Sequence, residues 1–233
     1  MEKRVAIVTA AGSGIGAACA RELVGRGYRV SLLARSPSVQ DLARELDGMA
    51  TSGSVSVAED LERLVSDTLA RYGRLDAVVN NTGHPAKGDL LDLPDEDWHA
   101  GLDLILMSVI RMARLVTPVF ERQGGGAIVN ISSFAAQEPS LPRPVSSVLR
   151  AALSSFTHLY SDRYAGRNIR MNSVLPGWVA TYPVAPADLA QIPLGRTADA
   201  AEVARVVAFL LSEEASYVTG ENMRVDGGLL RAL

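Results

Sequence analysis

The chain has 233 residues, 48% of them hydrophobic and 21% charged, which fits one globular domain with a substantial core. The net charge of −3 comes with no long run of one sign, which argues against a nucleic-acid partner or a membrane surface. One cysteine, Cys19, excludes an internal disulfide and a cysteine-built metal site, and His84, His99 and His158 lack metal-ligand spacing, so no metal is expected.

In chain order, "RVAIVTA" (4–10) reads as a buried strand running straight in from the N-terminus, with no signal peptide. The residues 14–28 read as a helix closed by Gly25 and Gly27, "RVSLLA" (29–34) as a strand, and 38–48 as a helix. A weak strand is expected near "GSVSV" (53–57), then a helix over 58–73 and a strand over 75–80. A long helix is expected over 94–123, opening on the acids that favour a helix N-terminus. A strand (126–132), a helix (145–165), a strand (169–175), a helix (199–212) and a last strand (222–225) complete the series. No stretch approaches the roughly 18 uninterrupted apolar residues of a membrane span, and a reducing cytoplasm is the expected location.

Continuous apolar strands alternating with helices predict an α/β fold: one doubly wound parallel sheet of about seven strands with helices on both faces, spanning 1–233 as a single Rossmann-type domain. The one long irregular insertion, 176–195, reads as a substrate lid. It is short and mostly apolar, which points to a small or apolar substrate.

"VTAAGSGIG" (8–16) joins the first strand to the first helix. Gly12, Gly14 and Gly16 permit a tight turn and let backbone N–H groups approach a pyrophosphate at the helix N-terminus. With "NNTG" (80–83), "ISS" (131–133), "LPGWVAT" (175–181) and "YVTGENMRVDGG" (217–228), this turn resembles the signatures of the short-chain dehydrogenase/reductase family, in the family's order and over nearly the whole chain. The resemblance implies a nicotinamide cofactor held by Thr9, Gly12, Ser13, Gly14, Ile15 and Gly16. Further contacts would come from Asn80, Thr82, Gly83 and Ile131, and from Pro176, Gly177, Val179 and Thr181 along the nicotinamide. After the second strand, where an acid would hydrogen-bond a free ribose, the chain has Arg35 and Ser36. That favours NADP(H) over NAD(H). Ser54 stands where the family's adenine-contacting Asp is usual.

The family's reductases use an Asn, Ser, Tyr and Lys together. By position, Ser133 matches the Ser, Ser146 stands for the Tyr, Arg150 for the Lys and Ile105 for the Asn. A serine hydroxyl is a poorer and shorter acid than a phenol, and Arg does not release its proton at any working pH. Positioned acid–base groups contribute about 10²- to 10⁴-fold, so the replacements matter. Arg150 also reflects composition, for the chain has only two lysines, Lys3 and Lys87. Tyr160 lies roughly 21 Å along the helix from Ser146, too far to substitute. His84 and Tyr182 lead as replacement acids, with Glu138 and Arg143 on a nearby loop.

Three functions follow from the resemblance. The first is an NADPH-dependent carbonyl reductase with a non-standard proton donor. The second is a cofactor-binding but catalytically degenerate member, acting as a sensor or partner subunit. The third is a non-redox enzyme of the halohydrin dehalogenase type, which the Arg at position 150 suggests and the persistent glycine loop opposes. The family also implies a homodimer or homotetramer, paired through the helices at 94–123 and 145–165.

Overall fold

The computed structural model describes residues 3–231. Its frame is a seven-stranded sheet built from β1 (Val5–Thr9), β2 (Arg29–Ala34), β3 (Met49–Ser52), β4 (Ala77–Asn80), β5 (Gly126–Ile131), β6 (Ile169–Pro176) and β7 (Asn222–Val225). The order is β3-β2-β1-β4-β5-β6-β7 and every pairing is parallel. The strands are apolar because both faces are covered; all five residues of β1 are buried. The chain reverses its direction of growth between β1 and β4, which opens a crevice at the carboxyl ends of those strands.

One face packs on α1 (Gly14–Gly25), α2 (Ser38–Glu45) and α8 (Ala200–Leu211), through residues such as Leu23, Leu42, Val203 and Val207. A capping box fixes the start of α8, with Asp199 accepting from Ala201 and Glu202 accepting from the Asp199 backbone. The other face packs on α3 (Ala58–Tyr72), α5 (Ser108–Gln123) and α6 (Pro144–Tyr164), through Leu61, Leu64, Met112, Val116 and Tyr160.

Three expectations need correction. The third strand is β3 at Met49–Ser52, not 53–57. In "GSVSV" the alternation has another cause: Val55 is buried as part of a loop, and the Ser54 amide donates to Asp60. The long helix over 94–123 is divided into α4 (Asp95–Leu102), a π-helical segment Asp103–Met107 and α5. Residues 176–195 are not wholly irregular, since α7 (Pro186–Leu189) makes one turn within them.

A polar ladder crosses the core under the crevice. Asn80 Nδ2 donates to Asn130 Oδ1 at 2.9 Å, and Asn130 Nδ2 donates to Thr157 Oγ1 at 3.0 Å. Thr157 Oγ1 gives its own proton to Leu153 O at 2.9 Å and so accepts from Ser173, also at 2.9 Å. It fastens the middle of α6 to β4, β5 and β6.

Candidate active site

The first crossover turn begins with strain. Ala10 adopts φ 45°, in the left-handed region, and Gly14 follows at φ 55°. A side chain at Gly16 would put its Cβ 2.4 Å from Ala10 O and 2.8 Å from Asn81 Nδ2, so only glycine fits. Ser13 is the exposed N-cap of α1 and makes no side-chain cap, and the first turn of α1 has no acid. The positive end of a twelve-residue helix therefore stands free for an anion. A cleft of about 810 Å³ opens from Gly12, Ser13 and Gly14 between α1, α2 and the start of α8.

The sequence-designated residues divide into two groups here. Thr9 is buried and spends its hydroxyl on Asn81, donating to its carbonyl at 2.7 Å and accepting from its amide at 2.9 Å. Asn80 belongs to the polar ladder. Ile15 packs against the core, and Val179 is buried beside Ala198 in a short bridge. These four side chains build the frame and do not present polar groups to the cleft. Ser36, Ser38 and Gly12 lie together: Ser38 Oγ donates to Gly12 O at 2.7 Å and is 2.8 Å from Ser36 Oγ. Arg35 and Ser36 are exposed at the end of β2, and Arg35 has no ion-pair partner among the described residues. Thr181 sits against the glycine turn, with its methyl 3.2 Å from where a Gly14 Cβ would stand. Gly177 closes on β7, its amide donating to Val225 O at 3.0 Å, and Pro176 ends β6. Gly83 is exposed at the end of β4.

A small cavity at the carboxyl ends of β1, β4 and β5 is lined by Asn81, Thr82, Ile105, Ile131 and Arg150, among others. Thr82 Oγ1 is buried there with no hydrogen-bond partner. Arg150 is 5% exposed. Its Nε donates to Ser146 Oγ at 3.2 Å, one helical turn back on α6, and its Nη1 donates to Ile131 O at 2.9 Å. No carboxylate pairs with it among the described residues, and burial pushes its pKa down to about 10. Ile105, in the π-helical segment, is 1% exposed and packs on Val109 and Leu153.

Ser133 caps the short turn Phe134–Ala136, its oxygen accepting from the Ala135 amide at 3.2 Å, which leaves its proton free for another acceptor. From this turn an aromatic row leads across the mouth. Phe134 lies 5.7 Å from Trp178, Trp178 lies 6.2 Å from Tyr182, and Tyr182 meets His84 edge-on at 5.5 Å, all ring to ring. The lid thus brings Tyr182 to His84, while Tyr160 stays in the core, bonded to Thr117. Partial burial lowers the His84 pKa, and the charges of Arg150, Lys87 and Arg143 push the same way. Burial raises that of Tyr182.

A family model described as "Enoyl-(Acyl carrier protein) reductase" matches residues 9–230. The chain belongs to the short-chain dehydrogenase/reductase family. This member of the family is 32% identical to 3-oxoacyl-(acyl-carrier-protein) reductase FabG of Thermotoga maritima, with 99% of both chains covered. It is 35% identical to dehydrogenase/reductase SDR family member 4 of Oryctolagus cuniculus, over 98% of this chain and 94% of that one. Its structure superimposes on L-sorbose reductase from Gluconobacter frateurii complexed with NADPH and L-sorbose. The TM-score is 0.92 and the identity 28%, with 100% and 98% of the two chains covered. It is similar also to YwfH, an NADPH-dependent reductase involved in bacilysin biosynthesis, with TM-score 0.93, 25% identity, and 99% and 100% covered.

Several residues that shape the site were not singled out from the sequence. Asn81 braces the glycine turn through Ala10 O at 3.2 Å, and Asn130 anchors the ladder. An Asn inside a continuous apolar strand is itself a signal, because a buried amide must find partners. Phe134 and Lys87 gave no such signal; the lid and the loop after β4 bring them in.

Proposed function

We propose that this oxidoreductase binds NADP(H) and reduces the carbonyl of a small substrate, with Tyr182 as proton donor. One observation carries the reading: the buried guanidinium of Arg150, which pairs with no carboxylate among the described residues, shares a cavity with the unpartnered Thr82 hydroxyl, beside an uncapped helix N-terminus. A buried charge with hydrogen bonds but no counter-charge still costs several kcal/mol, on the order of its desolvation, which supports a role in binding an anionic or hydroxyl-bearing ligand.

The residues fit a dinucleotide. The α1 N-terminus and the Gly12–Gly16 turn would hold the pyrophosphate, with Ser13 and Thr181 beside it. Arg150 and Thr82 would hold the nicotinamide end, near Gly83, Ile131, Pro176 and Gly177. Arg35 and Ser36 would hold a 2′-phosphate. When bound, the reduced nicotinamide supplies hydride to the carbonyl carbon. Ser133, with its proton free, would hold the carbonyl oxygen. Ser146 accepts from Arg150 Nε and so helps to orient the guanidinium.

Tyr182 suits the donor role better than His84. A phenol with a raised pKa keeps its proton throughout neutral pH. His84 with a lowered pKa is mostly neutral there and gains a donor proton only on acidification. With Tyr182 as donor the rate stays flat from pH 6 to 9. With His84 as donor the rate falls as pH rises through a value below the usual histidine range. Tyr182→Phe is expected to lower kcat by about 10²- to 10⁴-fold while leaving the Kd for NADPH unchanged. Trp178, in the aromatic row, reports binding by energy transfer to the reduced nicotinamide. Arg35→Ala is expected to weaken NADPH about 10- to 100-fold and NADH little, the loss of one charge-assisted contact.

A second reading rests on Ser146 and Ile105 standing where the family has its Tyr and Asn, while the cofactor turn is kept. It is a member that binds cofactor but does not turn over, as a sensor or partner subunit. Tight NADPH binding with no reduction across a carbonyl panel would favour it, and failure to bind either nicotinamide would remove both readings. A cytoplasmic homo-oligomer remains the expected context, and no helix of the described residues is long and apolar enough to cross a membrane.

A further inference from the structure

The mouth of the cleft collects positive charge that the rest of the molecule does not neutralise. The chain as a whole is acidic, with net charge −3. Yet Arg150, Lys87 and Arg143 all stand near enough to His84 to act on it electrostatically. The guanidinium of Arg143 lies over the Trp178 ring, 4.6 Å from its centroid, and makes no hydrogen bond or ion pair among the described residues. Lys87, one of only two lysines, likewise has no partner there. Several arginines elsewhere are paired, as Arg21 is with Glu45, Arg111 with Asp103 and Arg196 with Glu202.

The backbone adds to the field. Arg143 is the N-cap of the 21-residue α6, which has no side-chain cap and no acid in its first turn. Glu138, the nearest acid in sequence on that loop, makes no ion pair with it. At Tyr182 the charge of Arg143 lowers the pKa and that of Asp188 on α7 raises it. The contact with Trp178 positions the guanidinium, whose N–H groups make no hydrogen bond among the described residues and are free for an anion. Low-dielectric walls around the row focus the field into the mouth.

We propose that the substrate of this site is an oxo acid, whose carboxylate is received by Arg143, with Lys87 adding to the field at the mouth, while its carbonyl reaches Ser133 and Tyr182. The proposal rests on the reductase reading above. Phe134 and Trp178 then supply apolar surface beside the carbon chain.

The test pairs 2-, 3- and 4-oxopentanoate with their methyl esters, using wild-type protein, Arg143→Gln and Lys87→Gln with NADPH. The acid is expected to exceed its ester in kcat/KM by at least tenfold for one position of the carbonyl. Each variant is expected to reduce that preference tenfold or more, and 0.5 M salt is expected to reduce it as well. Lys87→Gln, at an exposed and unpartnered site, guards against misfolding of the Arg143 variant. A second readout is quenching of Trp178 by pentanoate against pentanamide in the presence of NADPH, which needs no turnover. Equal use of acids and esters, or a preference that survives both substitutions, would overturn the oxo-acid proposal and leave the reductase standing. Arg143-dependent pentanoate binding without any reduction would support the carboxylate site and remove the reductase.

Discussion

Ala10 carries a cost that a glycine would not. Its φ of 45° places a Cβ against the following carbonyl, and the left-handed region costs an L-residue about 1–2 kcal/mol. Some of this is offset by the greater unfolded-state freedom of glycine. Ala10→Gly is therefore expected to stabilise the protein by about 0.5–1 kcal/mol, raising Tm by roughly 1–4 °C in a thermal melt. Arg150 carries a cost of a different kind. With its pKa pushed down to about 10, the buried guanidinium opposes folding on the order of 3 kcal/mol. The sign follows from proton binding: the unfolded chain holds this proton more tightly, so below pH 10 the penalty is constant and is relieved only in strong alkali. Arg150→Met keeps the bulk and removes the charge. It is expected to raise the Tm of the cofactor-free protein, despite leaving Ile131 O without its donor, and to weaken nicotinamide binding at least tenfold by Trp178 energy transfer.

At the scale of elements, three contacts tie the lid to the site: Thr181 on the glycine turn, Trp178 on Phe134, and Tyr182 on His84. Two of these flank the place proposed for cofactor. Amides of 180–195 are accordingly expected to slow in hydrogen exchange when NADPH is added, while those of β1 and β5 do not change. Equal exchange with and without NADPH would separate the lid from binding. The same scale shows what could be read in advance. β2 was legible to the residue because "RVSLLA" is a mostly apolar run, and β7 because "NMRV" alternates polar and apolar residues before the Asp226-Gly227 break. β3 was not, since "MATS" is weakly apolar and the adjacent "VSV" mimics a period of two. The π-helical segment left no trace because "DLILM" contains neither proline nor glycine. The glycine turn was legible through its spacing, whereas the convergence of Lys87, His84, Arg143 and Tyr182 depends on loops whose paths no local pattern specifies.

Across the whole molecule, α6 leaves two large apolar side chains exposed. Val148 and Leu159 on α6 are 53% and 66% exposed, and their spacing of eleven residues puts them on one helix face. This is the helix expected to pair subunits. Leu159→Arg is expected to convert an oligomer to monomer in light-scattering chromatography, without changing the melting of the sheet core by more than about 1 kcal/mol. A wild-type monomer would remove the assembly reading.

The polar ladder has a consequence for how such a protein changes over time. Thr157 holds the middle of α6 to three strands, while Ser146 and Arg150 lie two to three turns nearer the mouth. Anchorage and chemistry occupy different turns of one helix. A lineage can therefore exchange the side chains at the reactive end while the helix keeps its seat. The fold then outlasts any particular reaction, and new acids can be recruited from the rim to a frame that never has to be rebuilt.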